Sequence, residues 1–313
     1  MSRPVTKPLP NTFPAKGYLR GIILSLITAL LWGVLPIFLK ITLQGFHTGT
    51  IAWFRFFFAF LILAIILQWR GHEPLGILRK PPWMGIAGGI CLAANYYWVT
   101  LGVDLSGPSN MAVLIQTASV FLVLVGVFVF RERLILRQVL GMFIVGVGLF
   151  LFFQDQQSRI QDAGEYYYAN LLIILAALLW VGYMVSQKFL SRQYGAQSLN
   201  LLVYAVAIFT LIGGVEWADF TRAGATAWGA LIFCGINTIL AYGTLAEAVK
   251  YIPLALISVI ISLNPLITLW GMKTLPEFGF AGLQPDPVGS LGYLGGGVAV
   301  VGVVLVVFRS NRN

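Results

Sequence analysis

Ten apolar runs, each about as long as a bilayer-spanning helix, dominate this chain and dictate its solvent. They fall at Leu19–Leu43, Thr48–Trp69, Trp83–Val103, Pro108–Phe130, Leu134–Phe153, Tyr168–Leu190, Gly195–Val215, Thr226–Val249, Tyr251–Met272 and Val288–Phe308. A helix needs about 20 residues to cross the roughly 30 Å hydrocarbon core. In lipid every backbone polar group must be satisfied within the protein, so runs of this length and apolarity read as helices. Only 10% of the 313 residues are charged and 58% are hydrophobic. A soluble domain carries about 25% charged residues, so this surface must face a lipid bilayer.

The few charges define a topology. The net charge of +9 does not point to nucleic acid, because the basic residues sit in short segments between the runs. With the N-terminus inside, fifteen Lys and Arg fall on inner segments, and only Arg159, Arg222 and Lys273 on outer ones. Lys40 and Arg55 lie within runs. The positive-inside rule then puts both termini in the cytoplasm. The first run is too long for a signal h-region and no A-x-A site follows it, so it reads as a retained helix. Cys91 and Cys234 lie inside apolar runs and read as small buried hydrophobes.

The two halves of the chain repeat each other. Ala29-Leu30-Leu31-Trp32 returns as Ala177-Leu178-Leu179-Trp180, and Lys40 as Lys188. Trp83 and Tyr97 match Trp228 and Tyr242; Pro108, Ser119 and Glu132 match Pro253, Asn264 and Glu277; Gly141 and Gly148 match Gly295 and Gly302. Five runs per copy is an odd number, so the second copy enters the membrane from the opposite side. The expected organisation is a cytoplasmic tail at 1–18, a first five-helix repeat at 19–153, an extracytoplasmic linker at 154–167, an inverted second repeat at 168–308 and a cytoplasmic tail at 309–313. Such inverted repeats place a substrate near mid-membrane at the repeat interface.

These motifs resemble the EamA-type branch of the drug/metabolite transporter superfamily over nearly the whole length. The features that carry the resemblance are the A-L-L-W start of each half, Trp53-Phe54-Arg55-Phe56 with Ala59 in the second run, Phe130-Arg131-Glu132-Arg133-Leu134 closing the fourth, and the Gly-rich fifth. The resemblance implies an all-α integral membrane protein, ten helices in a 5+5 inverted-repeat bundle, with a central cavity lined mainly by helices 1, 3, 4, 6, 8 and 9. It further implies export of amino acids or other metabolites across a bacterial inner membrane, the aromatic amino-acid exporters being the nearest subgroup. The counterpart of Arg55 is Val203, so the Arg-Phe motif cannot form a symmetric gate.

Nine residues are candidates to line that cavity: Trp32, Asn95, Tyr97, Gln116, Trp180, Tyr183, Asn237, Tyr242 and Asn264. The two Trp should lie near mid-depth, where an indole N–H needs a partner; packing between helices 1 and 6 is the alternative. Amides in hydrocarbon also need partners. They could be glue between helices, worth roughly 0.6 kcal/mol each, or polar points on a cavity wall; their concentration on the inner helices favours the wall for at least two. Pro36 and Pro265 lie inside runs and should free the carbonyls of Trp32 and Ile261, whereas Pro108 and Pro253 suit a first helical turn. Lys40 and Lys188 suit snorkelling to headgroups. Arg55 is too deep for that and should face protein. The spacings Gly85-x-x-x-Gly89 and Gly292-x-x-x-Gly296 allow close helix contact, within one chain or between two.

All eleven acidic residues fall in connections or at run ends, and so do His47 and His72. No carboxylate or histidine occupies mid-membrane, where proton relays are built, and no H-E-x-x-H, G-x-S-x-G or carboxylate pair offers catalysis. No cofactor, metal site or nucleic-acid partner is expected. A carrier of a small molecule is the favoured reading, ahead of an embedded enzyme or a channel; the oligomeric state stays open.

Overall fold

The computed structural model describes residues 15–307 except 70–75, 130, 132, 133, 158, 160, 161, 192 and 249. Glu132, Arg133, His72 and Glu73, and the ends of the fourth, eighth and tenth runs, lie outside the described residues. The helices are α1 Ala15–Thr42, α2 Thr48–Trp69, α3 Trp83–Leu114, α4 Thr117–Phe128, α5 Leu136–Gln157, α6 Ala163–Leu190, α7 Ala196–Leu211, α8 Ala225–Ala248, α9 Leu254–Ile261, α10 Asn264–Thr274 and α11 Ser290–Val307. Short helical turns fill the connections. Among the described residues nine helical spans are long and apolar enough to cross a bilayer, and Thr117–Phe128 is a shorter apolar helix. This is an all-α membrane bundle of ten apolar segments in two sets of five.

Two boundaries differ from the sequence expectation, and a third follows it. The third and fourth runs are separate helices, as expected: the range Trp83–Leu114 holds two helices that meet at a sharp kink. The kink is Gly107, whose φ of 86° is open only to glycine without strain. Pro108 then sits in the first turn after the kink, where its missing N–H is harmless. The carboxylate of Asp286 caps that turn, accepting the Ser109 N–H at 2.8 Å. The ninth run divides into α9 and α10, and Pro265 at the start of α10 supplies the reason. In the expected linker 154–167, α5 runs on to Gln157 and α6 begins at Ala163, with Asp162 accepting the Glu165 N–H at 3.0 Å as an N-cap.

The fourth segment of each half is broken, the two breaks lying within two residues of the same register. Ile115 and Gln116 separate α3 from α4, and Ser262 and Leu263 separate α9 from α10. All four residues keep right-handed backbone with ψ between −8° and −16°, the signature of a tightened turn. In each break a hydroxyl takes the carbonyl three residues back: Thr117 to Leu114 at 2.9 Å and Ser262 to Val259 at 2.7 Å, both pairs offset by 145 residues. Back-bonding of this kind bends helices. The two breaks also meet, because Gln116 Nε2 donates to the Ser262 carbonyl at 3.2 Å.

The halves interlock by exchange. α3 packs on α6 and α1 on α8; α2 packs on α7 and α5 on α11. The α5–α11 seam is glycine against glycine. A Cβ on Gly148 would lie 2.7 Å from the Gly295 carbonyl oxygen, and one on Gly141 would lie 2.8 Å from that of Gly302, so the backbones touch. Gly85, Gly89, Gly292 and Gly296 likewise meet side chains of this same chain. That places both G-x-x-x-G contacts within the monomer.

The end of the bundle that the charge count assigns to the outside is fastened by Asp219. Its carboxylate accepts the His47 N–H and the Thr50 hydroxyl, both at 2.8 Å, and lies 2.8 Å from His47 Nδ1. Burial works against ionisation, but the His47 N–H and the other bonds outweigh it and hold the carboxyl below its usual value. A depressed carboxylate contributes stability that is fully present above the ordinary Asp value near 4 and is lost as pH falls through the lowered value. Asp219→Asn should therefore cost about 2 kcal/mol at pH 7. It should also flatten the acid limb of a melting-temperature profile below pH 4; an unchanged limb would show that another group controls it.

Candidate functional site

The nine candidates gather at the interface of the halves in three groups. On α1 and α8, the Trp32 and Tyr242 rings meet edge to face, centroids 5.7 Å apart at 74°. Asn237, also on α8, donates through Nδ2 to the Leu31 carbonyl at 2.7 Å. On α3 and α6, Asn95 Nδ2 donates to the Ala176 carbonyl at 2.8 Å, and Tyr97 and Trp180 pack on the cluster containing Tyr96, Tyr183 and Tyr204. Gln116 and Asn264 flank the paired helix breaks.

The two Asn bonds are counterparts. Each runs from the third helix of one half to the first helix of the other. Together with the Gln116 bond they use amide N–H groups to satisfy neighbouring backbone carbonyls. This is the glue role that the sequence left as the alternative for these amides. Leu31 lies one turn before Pro36, where the proline disturbs the α1 ladder, and the Thr268 hydroxyl takes the nearby Gly33 carbonyl at 2.6 Å. The amide oxygens are another matter. Oδ1 of Asn237 and Oδ1 of Asn264 are buried acceptors with no hydrogen-bond partner among the described residues.

Arg55 faces protein, as its depth led one to expect. It lies about 10 Å along α2 from its first residue and is 2% exposed. Its guanidinium stacks over the Tyr96 ring at 4.2 Å, and Nε donates to Thr238 Oγ1 at 3.3 Å. Thr238 neighbours Asn237 on α8, one turn before Tyr242, so the arginine adjoins the Trp32–Tyr242 group. Its depth in the second run was the available signal.

The acids keep to the helix ends. Glu247, at the end of α8, pairs with Lys250 at 2.6 Å and Arg20 at 3.6 Å and accepts from the Tyr251 hydroxyl at 3.0 Å. The Lys250 ammonium, with Tyr251, holds that carboxyl below its usual value. Asp286 is raised instead, because burial outweighs its bonds to Ser109. Among the described residues no group of three His, Cys, Asp or Glu could hold a metal. A groove of about 460 Å³ lies between α3 and α7, lined by Ile86, Ile90, Leu202, Val206 and Phe209 among others. None of the nine candidates lines it, and its wall is apolar, with Ile86, Ile90 and Phe209 exposed on the outside of the bundle.

The EamA-like transporter family model matches residues 19–154 and again 167–272. The chain belongs to the EamA-like transporter family. It is a membrane transporter by that membership. An uncharacterised transporter of Haemophilus influenzae is 30% identical over 92% of this chain and 94% of that protein. The uncharacterised inner membrane transporter YhbE of Escherichia coli is 32% identical over 91% of this chain and 90% of its own. Two more distant relatives have names that state a cargo. A probable amino-acid metabolite efflux pump of Escherichia coli is 22% identical, over 72% of each chain. An S-adenosylmethionine uptake transporter of Rickettsia prowazekii is 24% identical, over 63% of this chain and 64% of its own. A solved crystal structure superposes with a TM-score of 0.63 at 18% identity, covering 92% of this EamA-like chain and 97% of the other, and shows a shared fold.

Proposed function

We propose that this transporter carries an amino acid, with an aromatic one the leading candidate, out of the cell by alternating access between two oppositely oriented five-helix halves, 19–153 and 168–308. The observation that carries the reading is the pair of helix breaks at Gln116 and Ser262. They touch at the interface of the halves, and aromatic side chains and unsatisfied amide oxygens stand on either side. Discontinuous helices at a repeat interface are the usual setting for a carrier's substrate. Rings of Trp32, Tyr97, Trp180 and Tyr242 suit a flat or amphipathic solute. The distant efflux relative supports the amino-acid class, and the S-adenosylmethionine carrier shares with it an amino-acid end group. The absence of a mid-membrane acid, with Glu247 held ionised, favours exchange or facilitated movement over coupling through a buried proton carrier.

Purified protein in liposomes, preloaded with one amino acid and challenged with others, should show saturable uptake that rises with the trans solute. Flux that neither saturates nor responds to trans solute would indicate a channel, and no flux would favour an enzyme. The same reading puts both termini in the cytoplasm. Single-cysteine variants at Arg159 and Arg222 should react with an impermeant thiol reagent in intact cells, while a cysteine appended to the C-terminus should not. The reverse pattern would invert the assignment.

A further inference from the structure

Among the described residues Arg55 is a cation without an anion. Of its five guanidinium N–H donors, one reaches Thr238 Oγ1, and the face of the group rests on Tyr96. No carboxylate pairs with it among the described residues. Burying a guanidinium without a counter-charge costs several kcal/mol. A cation–π contact returns only a fraction of that, and a single hydrogen bond to a hydroxyl does not close the gap. A structural arginine at this depth would be expected to bind carbonyls or an acid. Asp219 and Glu247 show that this chain pairs its charges where pairing serves stability.

The surroundings fit a missing anion. Thr238 accepts from Arg55 and donates its own hydrogen to the Cys234 carbonyl at 3.0 Å, so it holds the guanidinium in place, while the hydroxyls of Tyr96, Tyr204 and Tyr242 lie in the same neighbourhood. Hydroxyls donate readily to a carboxylate oxygen, and a guanidinium fork takes both oxygens at once. Trp32 on Tyr242 offers an aromatic wall within a helical turn of Thr238.

We infer that Arg55, with Thr238 and Tyr96, is the carboxylate subsite of the transported solute, and that the Tyr96 ring is the placeholder the carboxylate displaces. The cargo is thus a small monocarboxylate, and an amine or an amide of the same skeleton is rejected. This rests on the carrier reading above but is tested by binding, without transport.

Thermal unfolding of the detergent-solubilised full chain is followed with the twenty common amino acids, phenylacetate and succinate, and with the carboxamide of each compound that responds. At least one carboxylate should stabilise the wild type, and its amide should not. Arg55→Met should abolish that response, and Arg55→Lys should weaken the apparent affinity by roughly tenfold, since an ammonium loses the fork. Without solute, Arg55→Met should melt at or above the wild-type temperature, because it removes an unpaired buried charge. A purely structural arginine would give the opposite, a lower midpoint with the response to carboxylates unchanged. The inference is overturned if no carboxylate stabilises the wild type, if amides act as well as acids, if chloride alone reproduces the effect, or if Arg55→Met keeps the response. If a carboxylate binds through Arg55 but is not moved in liposomes, the carrier reading fails and the subsite stands. Saturable flux of a solute indifferent to Arg55 does the reverse.

Discussion

Gly148→Ala and Gly146→Ala, the same change two residues apart on α5, are expected to act with opposite sign. An added Cβ at Gly146 meets nothing within 4 Å, whereas at Gly148 it runs into the Ala299 backbone and lies 2.7 Å from the Gly295 carbonyl oxygen. At the open position alanine simply replaces the poorest helix former short of proline, a gain of roughly 0.5–1 kcal/mol. At the seam two backbones must separate, and the neighbour is main chain that cannot rotate away. Overpacking of this kind costs about 1–3 kcal/mol, and a backbone clash belongs at the upper end. Gly295→Ala should behave like Gly148→Ala. Melting temperatures in one detergent decide the matter. Two variants that move together would mean that α5 and α11 are not in backbone contact.

The second large effect is on transport. Trp32→Ala and Trp180→Ala should slow saturable flux about tenfold at matched expression, while Trp69→Ala and Trp83→Ala should change it less than twofold. The central pair is half-buried among aromatic rings, and an edge contact such as Trp32 on Tyr242 is worth about 0.5–1.5 kcal/mol, up to roughly a factor of ten. Trp69 and Trp83 are 86% and 74% exposed and sit at helix ends, where indoles anchor to headgroups. Equal losses at all four positions would move the site away from the centre.

Much of this architecture is legible in the sequence because lipid leaves few alternatives. Apolar length alone locates the segments, and Pro108 and Pro265 mark a first turn and a break by removing an N–H. What escapes is whatever depends on a partner. The break at Gln116 has no proline; Thr117 makes it by turning its hydroxyl back on Leu114, and many buried threonines do the same without breaking a helix. Asn95 and Asn237 look alike whether they line a cavity or bind a carbonyl, because the choice depends on the facing helix. The matching glycines of the fifth and tenth runs read as a repeat, but nothing in either run says that the two face each other. The cap on the turn after Gly107 comes from Asp286, far along the chain.

The glycine seam has a consequence for how the chain assembles. Gly148 and Gly295 belong to the fifth and the last of the apolar runs, and their contact spans nearly half the sequence. At synthesis rates of about 5–20 residues per second, α5 waits roughly 7–30 s for its partner, with its glycine face turned to lipid or to a temporary neighbour. Most of the bundle is in the membrane before that seam can close. The tenth apolar run is therefore the one that fixes the fifth in place, and a chain stopped short of Ser290 would hold every candidate site residue yet lack the contact that keeps α5 against the rest.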